Sequence, residues 1–231
     1  MKLLIVLPTR NRLNKCIEVL KSYINLSTHK ETRFVISCDK DDRSMNQKTT
    51  IDLIRSFPNV SIIFNENRIV KNNLISNFTT KICAINSGVK DQDFDVCLLA
   101  SDDMHPELIG YDSTIVDDMK KFFPNTDGVL WYNDGYQGQN LNTLCILGKK
   151  YYDRFGYIYH PSYITLYCDN EFTKVSQKLN KCQYIDKIII RHKHWSHKDN
   201  NNSRDSLDEK NDTFAASDEA NFRMRLKNDF K

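Results

Sequence analysis

The chain lacks a long apolar run. Near its start the longest is Leu3 to Leu7, ended by Pro8, far short of the roughly 20 residues that span a bilayer and of a secretory apolar region. The expectation is therefore no integral membrane segment and no leader, with Leu3 to Leu7 a buried strand. Charge of one sign is not in excess either: 33 Lys and Arg against 30 Asp and Glu leave +3, too little to hold nucleic acid by bulk electrostatics. Any anion is left to local patches. The seven cysteines include no Cys-x-x-Cys pair, are odd in number and are dispersed, which reads as buried free thiols in a reducing cytosol. Neither Gly-x-Gly-x-x-Gly nor a Walker motif occurs, so an ordinary dinucleotide or ATP site is disfavoured. No internal repeat is visible.

What is present is an ordinary soluble balance, 40% apolar and 27% charged residues with a mean hydropathy of −0.57; it excludes a disordered or fibrous chain. At 231 residues, the prior of about 150 residues per domain favours one large domain with an appendage. Surface scaling lets such a chain bury about 70% of its unfolded area. Strand and helix signals alternate, the pattern of a parallel sheet covered by helices. Strands are expected at Lys2 to Leu7, Thr32 to Cys38, Val60 to Asn65, Val96 to Ala100, Gly128 to Asn133, Leu144 to Leu147 and Tyr184 to Arg191. Helical spacing marks Leu13 to Ile24, Thr49 to Ser56, Ile75 to Gly88 with Gly88 as C-cap, Leu108 to Phe123, Lys149 to Phe155, Asn170 to Leu179 and Ala215 to Phe230. Residues 196–213 are almost wholly polar and read as a mobile linker or lid before a terminal helix over 214–231.

Three of the strands end in polar clusters: Pro8-Thr9-Arg10-Asn11-Arg12, Asp39-Lys40-Asp41-Asp42-Arg43 and Ser101-Asp102-Asp103. Open α/β sheets bind ligands outside the carboxyl ends of their strands, so these clusters predict one shared pocket. The first combines a helix N-terminus with two guanidinium groups, which suits a diphosphate. Asp102 and Asp103 after a buried strand suit a hard divalent cation, or else cap the next helix before Pro106. His192 and His194 stand two apart on a strand exit, where both imidazoles meet one ion or decorate a surface. Asp169 and Glu171 open a helical pattern, as a cap or as a general base.

Taken in order, these residues resemble the GT-A glycosyltransferases, most closely the family 2 type of bacteria, phages and large viruses. Pro8 to Arg12, Asp39, Lys81 with Asn86-Ser87-Gly88, Ser101-Asp102-Asp103, Asn133-Asp134-Gly135, Asp169-Asn170-Glu171-Phe172 and His192-x-His194 follow the family's order along nearly the whole chain. The resemblance implies a Rossmann-like α/β fold with a mostly parallel sheet flanked by helices and an acceptor-side C-terminal region. It divides a single domain into a nucleotide-binding half (1–103) and an acceptor and catalytic half (104–195). It further implies an inverting transfer from a nucleotide sugar, a UDP-sugar by preference, to a glycan or other hydroxyl acceptor. Pro8, Thr9, Arg10, Arg12, Asp39, Lys81, Ser101 and Asp102 would bind the donor. Asp102, Asp103, His192 and His194 would hold Mn2+ or Mg2+, although the family's Asp-x-Asp signature falls on Ala100-Ser101-Asp102 and lacks its first carboxylate. Asp169 would be the catalytic base with Glu171 in reserve, and Cys168 stands where an acidic residue is more usual. Tyr132, Asn133, Asp134, His160 and Tyr163 would hold acceptor or sugar. The setting expected is the cytoplasm of a bacterium or of a virus-infected host. A catalytically inactive nucleotide-sugar or glycan-binding domain and a metal-dependent phosphohydrolase are the alternatives.

Overall fold

The structure is a computed structural model that describes residues 1–66, 69–71, 74–76, 80–196 and 204–231, of which 69–71 and 74–76 are described as backbone. Its centre is a seven-stranded sheet in the order β10-β8-β9-β6-β1-β2-β3. The strands are β1 (Leu3–Thr9), β2 (Thr32–Asp39), β3 (Val60–Asn65), β6 (Val96–Leu99), β8 (Val129–Tyr132), β9 (Ile146–Gly148) and β10 (Cys182–Ile185). β3, β2, β1 and β6 run parallel. β9 is antiparallel to both β6 and β8, and β10 is parallel to β8. A buried, nearly all-apolar strand such as Leu3 to Leu7 is what a two-sided parallel sheet demands. Its residues alternate as a strand must: Leu3, Ile5 and Leu7 join one core, and Leu4 and Val6 the other.

The first core is covered by α1 (Leu13–Leu26) and α4 (Tyr111–Phe122), through Cys16, Val19, Leu20, Tyr23, Ile115 and Met119; α2 (Lys48–Arg55) adds Ile54. The second is covered by α3 (Lys81–Val89), α5 (Lys149–Asp153) and α6 (Cys168–Lys178). Gly88 lies inside α3 and is not its C-cap: a Cβ there would stand 2.5 Å from Val6 Cγ1 and 3.1 Å from Ser37 Cβ. The residue is small because α3 lies directly on β1 and β2.

Three expectations change. The helical pattern from Ile75 begins only at Lys81, where Thr80 caps α3 by accepting from Cys83 N at 3.0 Å. Upstream, β4 (Ile69–Lys71) pairs with β5 (Leu74–Ser76). The strand expected over Tyr184 to Arg191 is split: β10 ends at Ile185, and β11 (Ile190–His192) pairs with β7 (Met104–Pro106) in a separate small sheet. Finally, the segment expected as a mobile linker or lid holds a helix, α7 (Ser206–Asp212); Asp205 caps it and forms a capping box with Asp208. Residues 197–203 of that stretch lie outside the described residues. The last helix, α8 (Ala215–Lys227), docks on α6 through charge: Arg225 donates to both carboxylate oxygens of buried Glu171, at 2.7 and 2.9 Å. No helix among the described residues is long and apolar enough to cross a membrane.

Candidate functional site

β1, β2 and β6 all present their carboxyl ends to one cleft of about 260 Å³. β1 delivers Pro8 and Thr9 and then Arg10 and Arg12; β2 delivers Asp39; β6 runs on into Ser101, Asp102 and Asp103. Lys81 opens α3 on one wall and Asp169 opens α6 on another, while His192 and His194 leave β11 opposite them. The nucleotide-binding and metal-binding candidates, together with Asp169, therefore line a single cavity.

Backbone geometry holds these groups. Asn11, in the β1–α1 turn, has φ 55° and donates its N–H to Asp42 at 2.8 Å. Arg10 is thereby turned toward β2 and binds Asp39 at 2.7 Å and Asp41 at 2.7 and 2.8 Å. Tyr167, the N-cap of α6, has φ 60°, a left-handed conformation rare for a large side chain and costing on the order of 1–3 kcal/mol. It immediately precedes Cys168 and Asp169. Burial raises the pKa of the Asp169 carboxyl above the ordinary carboxylate value, against the opposing effect of Lys81.

Arg12 is held by three carboxylates. Its guanidinium reaches Asp102 at 3.2 Å and Asp205 and Asp208 at 2.6 Å each. Asp102 is nonetheless raised by burial, with Arg12 opposing. Asp103 accepts from Ser101 and lies 3.4 Å from His192 Nε2. Burial alone would lower the His192 pKa, but the carboxylates of Asp103 and Asp134 raise it to about 9.

Among the described residues no group of three or more His, Cys, Asp or Glu side chains is gathered as a metal centre. Asp103 lies 3.4 Å from His192, and Asp102 and His194 line the same cleft, so the carboxylate and imidazole groups there are of the kinds that divalent cations accept as ligands.

The remaining candidates do not line this cleft, although Asp134 lies behind it, 3.7 Å from His192 Nδ1. Glu171 binds Arg225 and accepts from Tyr163 at 2.8 Å, and it lines a separate aromatic cavity that His160 also lines. Tyr132 is in the core, donating to Asp118 at 2.6 Å. Asn133 bonds Asp186 at 2.9 Å and accepts from Gly135 N. Asp134 is buried and accepts from Tyr136, Gln137 and Gly138 N–H and from Thr143 Oγ1. It thus shapes the loop whose Tyr136 ring stacks on His194. Asn86 accepts from Ile158 and Tyr159 N–H and so fixes Tyr159 at the cleft.

Tyr159, Trp195 and the α7 residues Leu207, Asp208 and Asn211 also form the cleft walls, and none of them is among the residues expected there. For α7 a signal existed, since Asp205-Ser206-Leu207-Asp208 places carboxylates at N-cap and N3, as a capping box does.

No protein-family model matches the sequence, and no curated protein matches it. Solved structures do. S. aureus TarS 1-349 superposes with a TM-score of 0.61 at 15% identity, covering 83% of this chain and 60% of that one. Its complex with UDP gives 0.63, 14%, 83% and 60%. The mannosyltransferase PcManGT from Pyrobaculum calidifontis, in complex with GDP-Man and Mn2+, gives 0.55, 13%, 81% and 55%. The chain therefore spans 60% or less of the length of these three structures. At such identities the likeness is one of fold, and the chain shares the α/β architecture of these structures, here a mostly parallel seven-stranded sheet flanked by helices.

Proposed function

We propose that the protein is a glycosyltransferase that moves a sugar from a nucleotide-sugar donor to a hydroxyl group of a glycan or other acceptor, with inversion and with Mn2+ or Mg2+. The observation that carries this reading is a single cleft with two opposed chemistries. Cations and polar groups gather at the ends of β1, β2 and β6, and one further carboxylate, Asp169, faces the same space from α6. That the similar structures hold UDP, UDP-GlcNAc or GDP-Man supports a nucleoside diphosphate donor, with UDP-sugars first to test. The free cysteines support a reducing, cytoplasmic setting.

In this reading Pro8, Thr9, Asp39 and Ser101 hold the nucleoside, and Arg10, Arg12 and Lys81 face the diphosphate. Asp102, Asp103, His192 and His194 would hold the cation, which supplies positive charge against the departing diphosphate. Asp169 takes the proton of the acceptor hydroxyl. That oxygen forms a bond to the anomeric carbon as the bond from this carbon to the diphosphate oxygen breaks, and the electron pair leaves with the nucleoside diphosphate. Burial suits Asp169 to the task, because a carboxylate of raised pKa is a stronger base. Glu171 is the weaker choice, since Arg225 and Tyr163 occupy its oxygens. Tyr159 and Trp195, which line the cleft, are better placed for an acceptor sugar than Tyr132, Asn133, Asp134, His160 or Tyr163.

The test is thermal stabilisation by UDP, UDP-GlcNAc and GDP-mannose with and without Mn2+, followed by turnover assays on the parent and on Asp169→Asn. A shift with one nucleotide, together with turnover that falls about a hundredfold or more in Asp169→Asn at unchanged donor affinity, supports the reading. Binding with no turnover in the parent makes the chain a nucleotide-sugar-binding domain. No shift with any nucleotide overturns the proposal.

A further inference from the structure

The acidic start of α7 sits on the cation that a diphosphate would need. Asp205 and Asp208 each reach an Arg12 guanidinium nitrogen at 2.6 Å, and Lys15 Nζ binds Asp205 at 3.1 Å. Two carboxylates are thus held by Arg12, the N-cap of α1, and one of them also by Lys15 in the first turn of that helix, much as two phosphates would be. The contacts join residues 190 to 196 positions apart. It is also sheltered: the side chains of Arg12 and Asp208 are only 15% and 17% exposed. Arg12 Nε is buried and without a hydrogen-bond partner, so the carboxylates leave part of the guanidinium unanswered. The same short helix roofs the cleft with Leu207 and Asn211. Just before it, Arg204 lies over the Trp195 ring at 5.2 Å, a second tether beside the site.

We propose that α7 is an autoinhibitory latch in which Asp205 and Asp208 stand in for the phosphates of a nucleoside diphosphate on Arg12, so that donor binding displaces the helix instead of ordering it. The inference rests on the proposed nucleotide-sugar site and deepens it. A ligand whose site is open only part of the time binds more weakly by that fraction. A latch closed nine-tenths of the time therefore weakens donor binding about tenfold, and removing its charge restores the difference.

The experiment compares the full chain with the double variant Asp205→Asn/Asp208→Asn. Asn is as good an N-cap as Asp, so α7 keeps its local reason to be helical while losing its hold on Arg12. UDP and inorganic pyrophosphate are titrated calorimetrically into both proteins, and amide hydrogen exchange of residues 206–212 is followed with and without UDP. The latch predicts about tenfold tighter UDP binding in the variant, faster exchange of 206–212 in the variant alone, and faster exchange in the parent when UDP is added. Equal or weaker UDP binding by the variant overturns the latch and leaves the donor site standing. Slower exchange of 206–212 in the parent on adding UDP overturns it too, making α7 a cover over bound donor. Failure of both proteins to bind either diphosphate overturns the donor site and the latch together.

Discussion

At the scale of single residues, the buried carboxylates divide by what answers them. Asp169 is raised by burial, and Lys81 is the chief opposing charge. A base must be deprotonated to work, so activity should fall as pH drops through a limb lying above the ordinary Asp value of about 3.9. In Lys81→Met the opposing cation is gone and the limb should move to higher pH, a change read from the pH profile of kcat whatever happens to KM. Asp112 is the opposite case. It is wholly buried, yet it accepts from Ser27 Oγ, from Thr28 and His29 N–H and from Thr32 Oγ1. Burial pushes its pKa up, and these donors outweigh burial and hold it below the ordinary value. A depressed folded pKa stabilises fully above the unfolded value of about 3.9 and is lost as pH falls through the folded one. Asp112→Asn should therefore cost about 1–3 kcal/mol near neutrality. In urea titrations the gap between parent and variant should narrow in acid.

At the scale of elements, α3 is held by the absence of a side chain. Gly88→Ala would set a methyl 2.5 Å from Val6 Cγ1, and the helix must lift from β1 and β2; overpacking of this kind costs about 1–3 kcal/mol, measurable as a lowered urea midpoint. Legibility in the sequence followed the range of the forces involved. Apolar alternation and all-apolar runs are local, so β1, β2, β3, β6 and α1 were readable, and with them the three polar strand ends that make the cleft. α7 has no apolar period, only the capping box of Asp205 and Asp208, and its place over the cleft is set by contact with Arg12, far away in sequence. Asp169 and Glu171 show a signal that was present but unused. Two residues on a helix turn through about 200°, so one faces the cleft and the other faces α8. Tyr132, His160 and Tyr163 lie outside the lining of the cleft; aromatic and imidazole rings suit a core, a cavity or a sugar equally well, and only packing decides among them.

At the scale of the whole molecule, the two cores on opposite faces of the sheet hold five of the seven thiols, with Cys83 and Cys182 partly exposed. Disulfide-forming reagents should titrate at most those two in the native protein and all seven in guanidinium, with the same thermal midpoint in the presence and absence of reductant. A native count above two would mean that the sheet opens more readily than its burial implies. The sheet also has an order of assembly that differs from the order of the chain, because β9 lies between β6 and β8. During synthesis β1, β2, β3 and β6 can pair as soon as Leu99 has emerged, but one edge of β6, wholly apolar, has no neighbour until Ile146–Gly148 has been made. At about 5–20 residues per second that wait lasts seconds. The nascent chain therefore offers a bare hydrophobic strand edge to the ribosome's surroundings, and its yield in a cell depends on what shields that edge in the interval.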